Sequence, residues 1–226
     1  PKHFAVNSQE LRRMAMNAVL DVRTLREIYL TGFEIAVKEG GAKAIMTSYN
    51  QVNGTYANEN KHLLKDILRG EWGYDGIVIT DWGGSNDHVQ GVAAGSNLEM
   101  PTPGLDSARE ILEAVESGRL SMEALDECVD TFLDAVLTLT GDKKEKKTDF
   151  DKEAHHRLAR KAAAQSIVML KNDVDPVPIL PLKEGTRVAL IGDFAKTPRY
   201  QGAGSSMVNP TKVETMAEKI SEYPLT

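Results

Sequence analysis

The chain has 226 residues, 41% of them hydrophobic and 27% charged, with a formal net charge of -6. No apolar run approaches the length that crosses a bilayer, and the acidic balance argues against a general nucleic-acid binder, whose phosphate contacts need a basic face. What remains is one large domain or two modest ones around a sizeable core, with a neutral small molecule as the expected partner.

The sequence starts at Pro1 without an initiator Met or a signal peptide, and reads as an internal piece of something longer. Lys2 and His3 follow at once. Neighbours in a strand point to opposite sides, so both reach one pocket only from a strand end or a bulge. Two adjacent donors there suit sugar hydroxyls. Over residues 23–39, Leu25, Ile28, Tyr29, Phe33 and Val37 recur at helical spacing and stop at Gly40-Gly41. Ala44-Ile45-Met46 is a short buried strand that leads directly into Thr47-Ser48-Tyr49-Asn50. Asn53-Gly54 marks a turn, and Asn60 is placed to cap a helix from Lys61 to Arg69.

Gly76-Ile77-Val78-Ile79-Thr80-Asp81-Trp82 is the most informative run. Apolar residues without alternation predict a strand buried on both faces, as in parallel sheets covered by helices. Carboxylates at the C-terminal tips of such strands sit where α/β folds collect catalytic groups. An aromatic beside that carboxylate suits a sugar ring, which has an apolar face and an electron-poor carbon. The alternative is that Asp81 caps the next helix. Tyr49 stands to its strand as Asp81 does to its own, so both tips share one rim in a parallel sheet. A tyrosine hydroxyl there orients a carboxylate and holds its charged form, or else it is satisfied locally.

A short helix near 86–94 and a brief strand over Asn97-Leu98-Glu99-Met100 follow, stopped by Pro101 and Pro103. Helices from Asp106 to Ser117 and from Ser121 to Leu139 complete the region. The single Cys128 excludes an internal disulfide, reads as core packing, and favours a reducing, cytoplasmic compartment. Alternating strands and helices with short links predict a parallel sheet with right-handed crossovers, either doubly wound or a (β/α)8 barrel. A complete barrel takes about 250 residues, so residues 1–140 would hold only its last few units.

Residues 141–152 are charged and apolar-poor, a linker by composition. Residues 153–226 read as the start of a second α/β unit. Its expected elements are a helix from about 152 to 169, a turn at Asp175-Pro176-Val177-Pro178, a strand from Arg187 to Ile191, and a helix from about 212. The loop Gln201-Gly202-Ala203-Gly204-Ser205-Ser206 fails the dinucleotide fingerprint, because its glycines come too late and lack the third. It is a substrate-facing loop or a simple turn. His155-His156 point to different faces of a helix and are expected in solvent, with no metal site.

Several blocks together closely resemble glycoside hydrolase family 3. They are Lys2-His3-Phe4, Asp21 to Leu30, Met46-Thr47-Ser48-Tyr49-Asn50, Leu68 to Gly76, and Ile79-Thr80-Asp81-Trp82. The likeness continues through Ala159 to Ala163, Ser166 to Asn172, Ile179-Leu180-Pro181-Leu182 and the Gly-Ala-Gly-Ser-Ser loop. It implies an α/β protein: the C-terminal part of a (β/α)8-type barrel followed by the start of an α/β (αβα) sandwich. It also implies a retaining β-glucosidase that releases terminal non-reducing β-D-glucose, without cofactor or metal. By resemblance Asp81 is the nucleophile; Lys2, His3, Arg13 and Tyr49 grip the sugar; Trp82 shapes its site; Ser205 and Ser206 lie on a loop reaching toward it.

The chain departs from the family at Asn97, where an Asp is common, and that segment makes Glu99 no catalytic candidate. The family's early barrel Asp and Arg, and the sandwich Glu that acts as acid/base, are not found in it. Its substrate would be a small β-glucoside or short β-linked oligosaccharide, with the remaining parts of the same enzyme needed to complete the site. The rival readings are a β-xylosidase or arabinosidase of the same family, and a non-catalytic sugar-binding protein.

Overall fold

A computed structural model describes residues 1–141, 149–173 and 177–225. These fall into two units, Pro1–Lys144 and Glu145–Thr226.

In the first unit, β1 (Asn17–Ala18) precedes a helical run over 22–38, here α1. Asp21 starts it, its carboxylate accepting from the Thr24 N–H at 2.9 Å. Leu25–Leu30 of this run is wound as a π-helix between α-helical Val22–Thr24 and Thr31–Lys38. Then come β2 (Ala44–Met46), β3 (Gln51–Val52), β4 (Thr55–Tyr56) and a π-wound helix α2 (His62–Glu71), with Asn60 Oδ1 accepting from Leu63 N–H at 3.1 Å. The expected cap is there. β5 (Ile77–Ile79), α3 (His88–Ala94), α4 (Asp106–Glu116) and α5 (Met122–Thr140) follow.

β2 and β5 run parallel, with Ala44, Ile45 and Met46 opposite Ile77, Val78 and Ile79. Single parallel bridges extend this pair on both sides, Phe4 to Thr47 and Ile79 to Leu98. Backbone bonds fix the alignment: Phe4 N–H to Met46 C=O at 2.8 Å, Thr47 N–H to Ile79 C=O at 2.8 Å, and Thr80 N–H to Leu98 C=O at 3.0 Å. The segments at Phe4, β2, β5 and Leu98 therefore lie side by side in chain order, each added beyond the last.

The core covers one face of this sheet. Phe4, Leu30, Ile45, Leu64, Ile67, Leu68 and Val78 are all at most 1% exposed, and the Phe4 ring meets those of Phe33 and Trp72 edge-on at 5.0 and 6.1 Å. Ile45 and Val78 share the register and so share this face, against the apolar side of α2. Met46 and Ile79 share the opposite face and are only half-buried. Ile77, on that same face, is 8% exposed, so β5 is buried along one face and in part along the other. Helices cover one side of the strand pair, and the other is partly open within this unit.

One expectation here changes and one holds. The strand over Asn97–Met100 shrinks to one bridge at Leu98, because the Asn97 side chain takes a pairing position itself, its Oδ1 accepting from Val78 N–H at 2.9 Å. The Asn53-Gly54 turn joins a hairpin in which Gln51 faces Tyr56 and Val52 faces Thr55. Its residues have φ of 50° and 93°, the positive values a two-residue hairpin turn needs. β1 pairs parallel with the other edge of β3.

In the second unit, α6 (Lys152–Ser166) begins at Asp151, whose carboxylate accepts from Ala154 N–H at 2.8 Å. It ends three residues sooner than expected, where Ile167 turns extended. The helix predicted from 212 starts later, as α7 (Met216–Lys219), behind a Thr215–Glu218 capping box. The strand predicted over Arg187–Ile191 does not form. The segment is irregular and Ile191 is 90% exposed; a strand exists only by pairing, and among the described residues of this unit nothing pairs with it.

His156 is a further correction. It is half-buried against Glu214 at 3.1 Å rather than in solvent, while the exposed His155 rests on the Phe150 ring. Most of the linker assigned to 141–152, and Asp175-Pro176 of the assigned turn, lie outside the described residues. Among the described residues no helix is long and apolar enough to cross a membrane.

Candidate active site

The sheet alignment brings His3, Tyr49 and Asp81 to one place. Asp81 follows β5 by two residues and Tyr49 follows β2 by three, so both leave the C-terminal ends of paired parallel strands. His3 comes from the next segment, held by the Phe4 bridge, with cis peptides at Lys2-His3 and Phe4-Ala5. His3 Nε2 lies 3.3 Å from Asp81 Oδ2, with side chains 29% and 16% exposed. Lys2 is turned out and exposed. The two adjacent donors therefore do not converge, as alternating side-chain directions would have it.

Asp81 is tied to its own turn. Its Oδ1 accepts from the Trp82 N–H at 2.7 Å, and its C=O from the Gly84 N–H at 2.8 Å. Glycine suits both positions after Trp82. Gly83 sits at φ 77°, and a Cβ on Gly84 would come within 3.1 Å of the Asp81 carbonyl oxygen. Asp81 is not the cap of α3: Asp87 is, accepting from Gln90 N–H at 2.9 Å. The carboxylate of Asp81 is left at the rim, partly open.

Tyr49 is 7% exposed, and its hydroxyl donates to the Trp82 C=O at 2.8 Å. It thereby grips the residue after Asp81, and burial first, then the neighbouring Asp81 charge, hold its hydroxyl above the ordinary tyrosine pKa. The Arg13 guanidinium lies over the Tyr49 ring at 4.7 Å and bonds Glu10 at 2.9 Å. Trp82 is 64% exposed, an open aromatic face beside the carboxylate. His3, Arg13, Tyr49, Asp81 and Trp82 thus form one cluster. Ser205 and Ser206 belong to the second unit, exposed in a short turn where Ser206 donates to the Ala203 C=O at 3.0 Å.

Sequence reasoning missed the support beneath this cluster. Asn97 Oδ1 accepts from the Arg69 guanidinium at 2.8 Å as well as from Val78, and its Nδ2 donates to the Cys128 C=O at 3.2 Å. It joins β5, α2 and α5 at once, and an aspartate could not make the last bond. Burial is the first influence on the Arg69 pKa and lowers it, and the guanidinium's hydrogen-bond partners are the neutral C=O groups of Tyr74, Gly76 and Gly95 and the Asn97 side chain. Glu99 pairs with His88 at 2.9 Å and accepts from Ser107 at 3.1 Å. Glu59, only 7% exposed, gave no signal at all within the polar run Ala57-Asn58-Glu59-Asn60-Lys61.

Two family models match the chain. Residues 1–135 match the glycosyl hydrolase family 3 N terminal domain, and residues 167–224 match the glycosyl hydrolase family 3 C-terminal domain. The chain is 48% identical over 221 residues to thermostable beta-glucosidase B of Acetivibrio thermocellus, covering 98% of this chain and 29% of that protein. It is 42% identical over 230 residues to an exo-alpha-(1->6)-L-arabinopyranosidase of Bifidobacterium longum, covering 98% of this chain and 30% of that one. The solved structure of beta-glucosidase 3B from Thermotoga neapolitana in complex with alpha-D-glucose superposes with a TM-score of 0.84 at 36% identity, over 100% of this chain and 32% of the other. The chain spans between 24% and 30% of the length of the curated relatives it matches.

Proposed function

We propose, for a chain that belongs to glycosyl hydrolase family 3, that it carries the nucleophile half of a retaining β-glucosidase site. In this reading residues 1–140 are the last units of a (β/α)8-type barrel, 141–152 a linker, and 153–226 the start of the sandwich. Chain-order addition of four parallel segments supports the barrel, since a doubly wound sheet reverses its order at a switch point. The half-buried Met46 and Ile79 would then face the barrel interior.

The observation that carries the reading is the Asp81 carboxylate. One oxygen is fixed by the Trp82 N–H at 2.7 Å and the other faces His3 at 3.3 Å, at a strand tip and beside an open indole. Asp81 would attack C1 of a terminal β-D-glucose, forming a glycosyl-enzyme that water then hydrolyses. His3 would contact sugar hydroxyls, Arg13 would reach them across Tyr49, and Trp82 would lie along the sugar's apolar face. Ser205 and Ser206 belong to this reading by resemblance alone. Retention requires a second carboxyl about 5–5.5 Å from the first, and by resemblance this proton donor is a sandwich Glu outside these residues. The substrate is a β-glucoside or a short β-linked oligosaccharide.

In the whole protein, Asp81→Ala should lower turnover of an aryl β-glucoside by roughly four orders of magnitude or more, with no covalent glycosyl-enzyme trapped. Wild-type-like turnover by that variant ends the assignment. A pentoside-cleaving reading is favoured by one observation, the 42% identity to an arabinopyranosidase. A pentopyranose lacks the exocyclic hydroxymethyl group. Matched assays with aryl β-glucoside, β-xyloside and α-L-arabinopyranoside decide between these substrates.

A further inference from the structure

Beneath the rim lies a short buried turn, Ala57–Glu59 followed by Asn60, whose polar side chains each bind a different part of the unit. Asn58 Oδ1 accepts from the Thr47 hydroxyl at 3.2 Å, two residues before Tyr49. Asn60 starts α2. Glu59 Oε1 accepts from the backbone N–H groups of Asn86 at 2.9 Å and Asp87 at 3.3 Å. Its other oxygen, Oε2, is buried without a hydrogen-bond partner.

A buried carboxylate is costly to hold, and two backbone donors offset only part of that cost. Burial indeed pushes the Glu59 carboxyl above the ordinary range, while the two N–H groups pull it back. What the carboxylate holds is the far end of the loop that begins at Asp81. The near end of that loop is held by Tyr49 on Trp82 and by the Gly83 N–H on the Met100 C=O at 2.7 Å. Ser85 and its neighbours run between these anchors into the capped start of α3. Without Glu59, the Asn86 and Asp87 N–H groups would lose this acceptor, and the far end of the loop would keep only the bonds that Ser85 and Asp87 make to α3.

We infer that Glu59 is a positioning residue for Asp81, anchoring the 82–87 loop through the Asn86 and Asp87 backbone so that the carboxylate keeps its attacking geometry. This rests on the reading of Asp81 as nucleophile. It acts by reach rather than by charge, and two variants separate these. Glu59→Asp keeps the charge and withdraws the acceptor by one methylene. Glu59→Gln keeps the reach and removes the charge.

The test measures kcat and KM for an aryl β-glucoside on the whole protein, thermal melts, and hydrogen exchange of the 82–90 backbone, with Asp81→Ala alongside. Glu59→Asp should lose about 100-fold in kcat, the scale of a small misplacement, at nearly unchanged KM, with faster exchange at 86–87. Glu59→Gln should stay close to wild type in both. A folded Glu59→Asp protein with wild-type kcat overturns the inference, as does Glu59→Gln falling as far as Glu59→Asp. A Glu59→Asp protein that does not fold assigns Glu59 to general stability instead and also overturns it. Activity surviving Asp81→Ala defeats the glycosidase reading and this one together, whereas an inactive Asp81→Ala beside an unimpaired Glu59→Asp defeats this one alone.

Discussion

Ile45 and Ile191 both sit in short apolar runs that read as strands, yet Ile45 is 1% exposed and Ile191 is 90%. The residues themselves do not differ in kind. Ile45 lies in a segment whose backbone is bonded on both sides, to the Phe4 segment and to β5, and whose register turns it onto Leu64, Ile67 and Val78. Ile191 has no such ladder among the described residues of its unit. Its neighbours in kind, Val168 and Leu170, are likewise 74% and 93% exposed. β-Propensity describes how well a side chain fits a pleated, half-buried surface, and that surface exists only when another strand supplies it.

The largest break in this comparison is a substitution on the ordered side. Ile45→Ala removes a fully buried branched side chain from the face that packs on α2. A loss of about 2–5 kcal/mol is expected, from transfer and cavity together, read by denaturant unfolding of this chain. A loss under about 1 kcal/mol would mean that the β2–β5 face is not the core described here.

Asn97→Ala comes next. It leaves the Arg69 guanidinium, the Val78 N–H and the Cys128 C=O without their shared partner. Losing a buried hydrogen-bond partner costs about 1–3 kcal/mol, so the loss should fall in that range. Asn97→Asp should recover the two acceptor bonds and not the third, and rank between wild type and alanine. An Asn97→Asp protein less stable than Asn97→Ala would count against this ordering.

The sequence made one half of this picture legible, for physical reasons that particular residues show. Ala44-Ile45-Met46 and Ile77-Val78-Ile79 were readable because a short apolar run closed by polar residues has few alternatives, and Asp81 and Tyr49 follow as their tips. Asn60 caps its helix as expected because a cap is a local event within three residues, and Asp21 and Asp151, not singled out in the sequence, do the same. The hairpin around Asn53-Gly54 was missed as a hairpin because its strands are two residues each, too short to show alternation. Glu59 was invisible since its partners are backbone groups 27 and 28 residues on, and backbone carries no sequence signal. The His156–Glu214 contact was hidden likewise, because it joins α6 to a distant loop that no local pattern predicts.

Glu59 also sharpens the comparison by its pH dependence. Its folded-state pKa lies above the ordinary 4.5, burial being the first cause. The native state therefore holds a proton that the unfolded chain has already released, and stability falls as pH rises from the ordinary glutamate range through the raised value. Glu59→Gln lacks this slope. Its unfolding free energy relative to wild type should improve as pH climbs above about 4.5 and level off once wild-type Glu59 is fully ionised. Parallel pH profiles for the two proteins would refute this placement of the carboxylate.

The smallest expected effect is the most telling counterpart to the first. Ile191→Ala makes the same chemical change as Ile45→Ala, the removal of the same carbons, at a position 90% exposed. No cavity opens, and little apolar area leaves or enters water on folding. The change should therefore stay within about 0.5 kcal/mol, as for surface substitutions away from special features. Measured in the same 226-residue chain under the same conditions, the pair holds chemistry fixed and varies only the presence of a neighbouring strand. A cost for Ile191→Ala approaching that for Ile45→Ala would require that Ile191 be covered on folding, and would restore the strand that the sequence suggested over Arg187–Ile191.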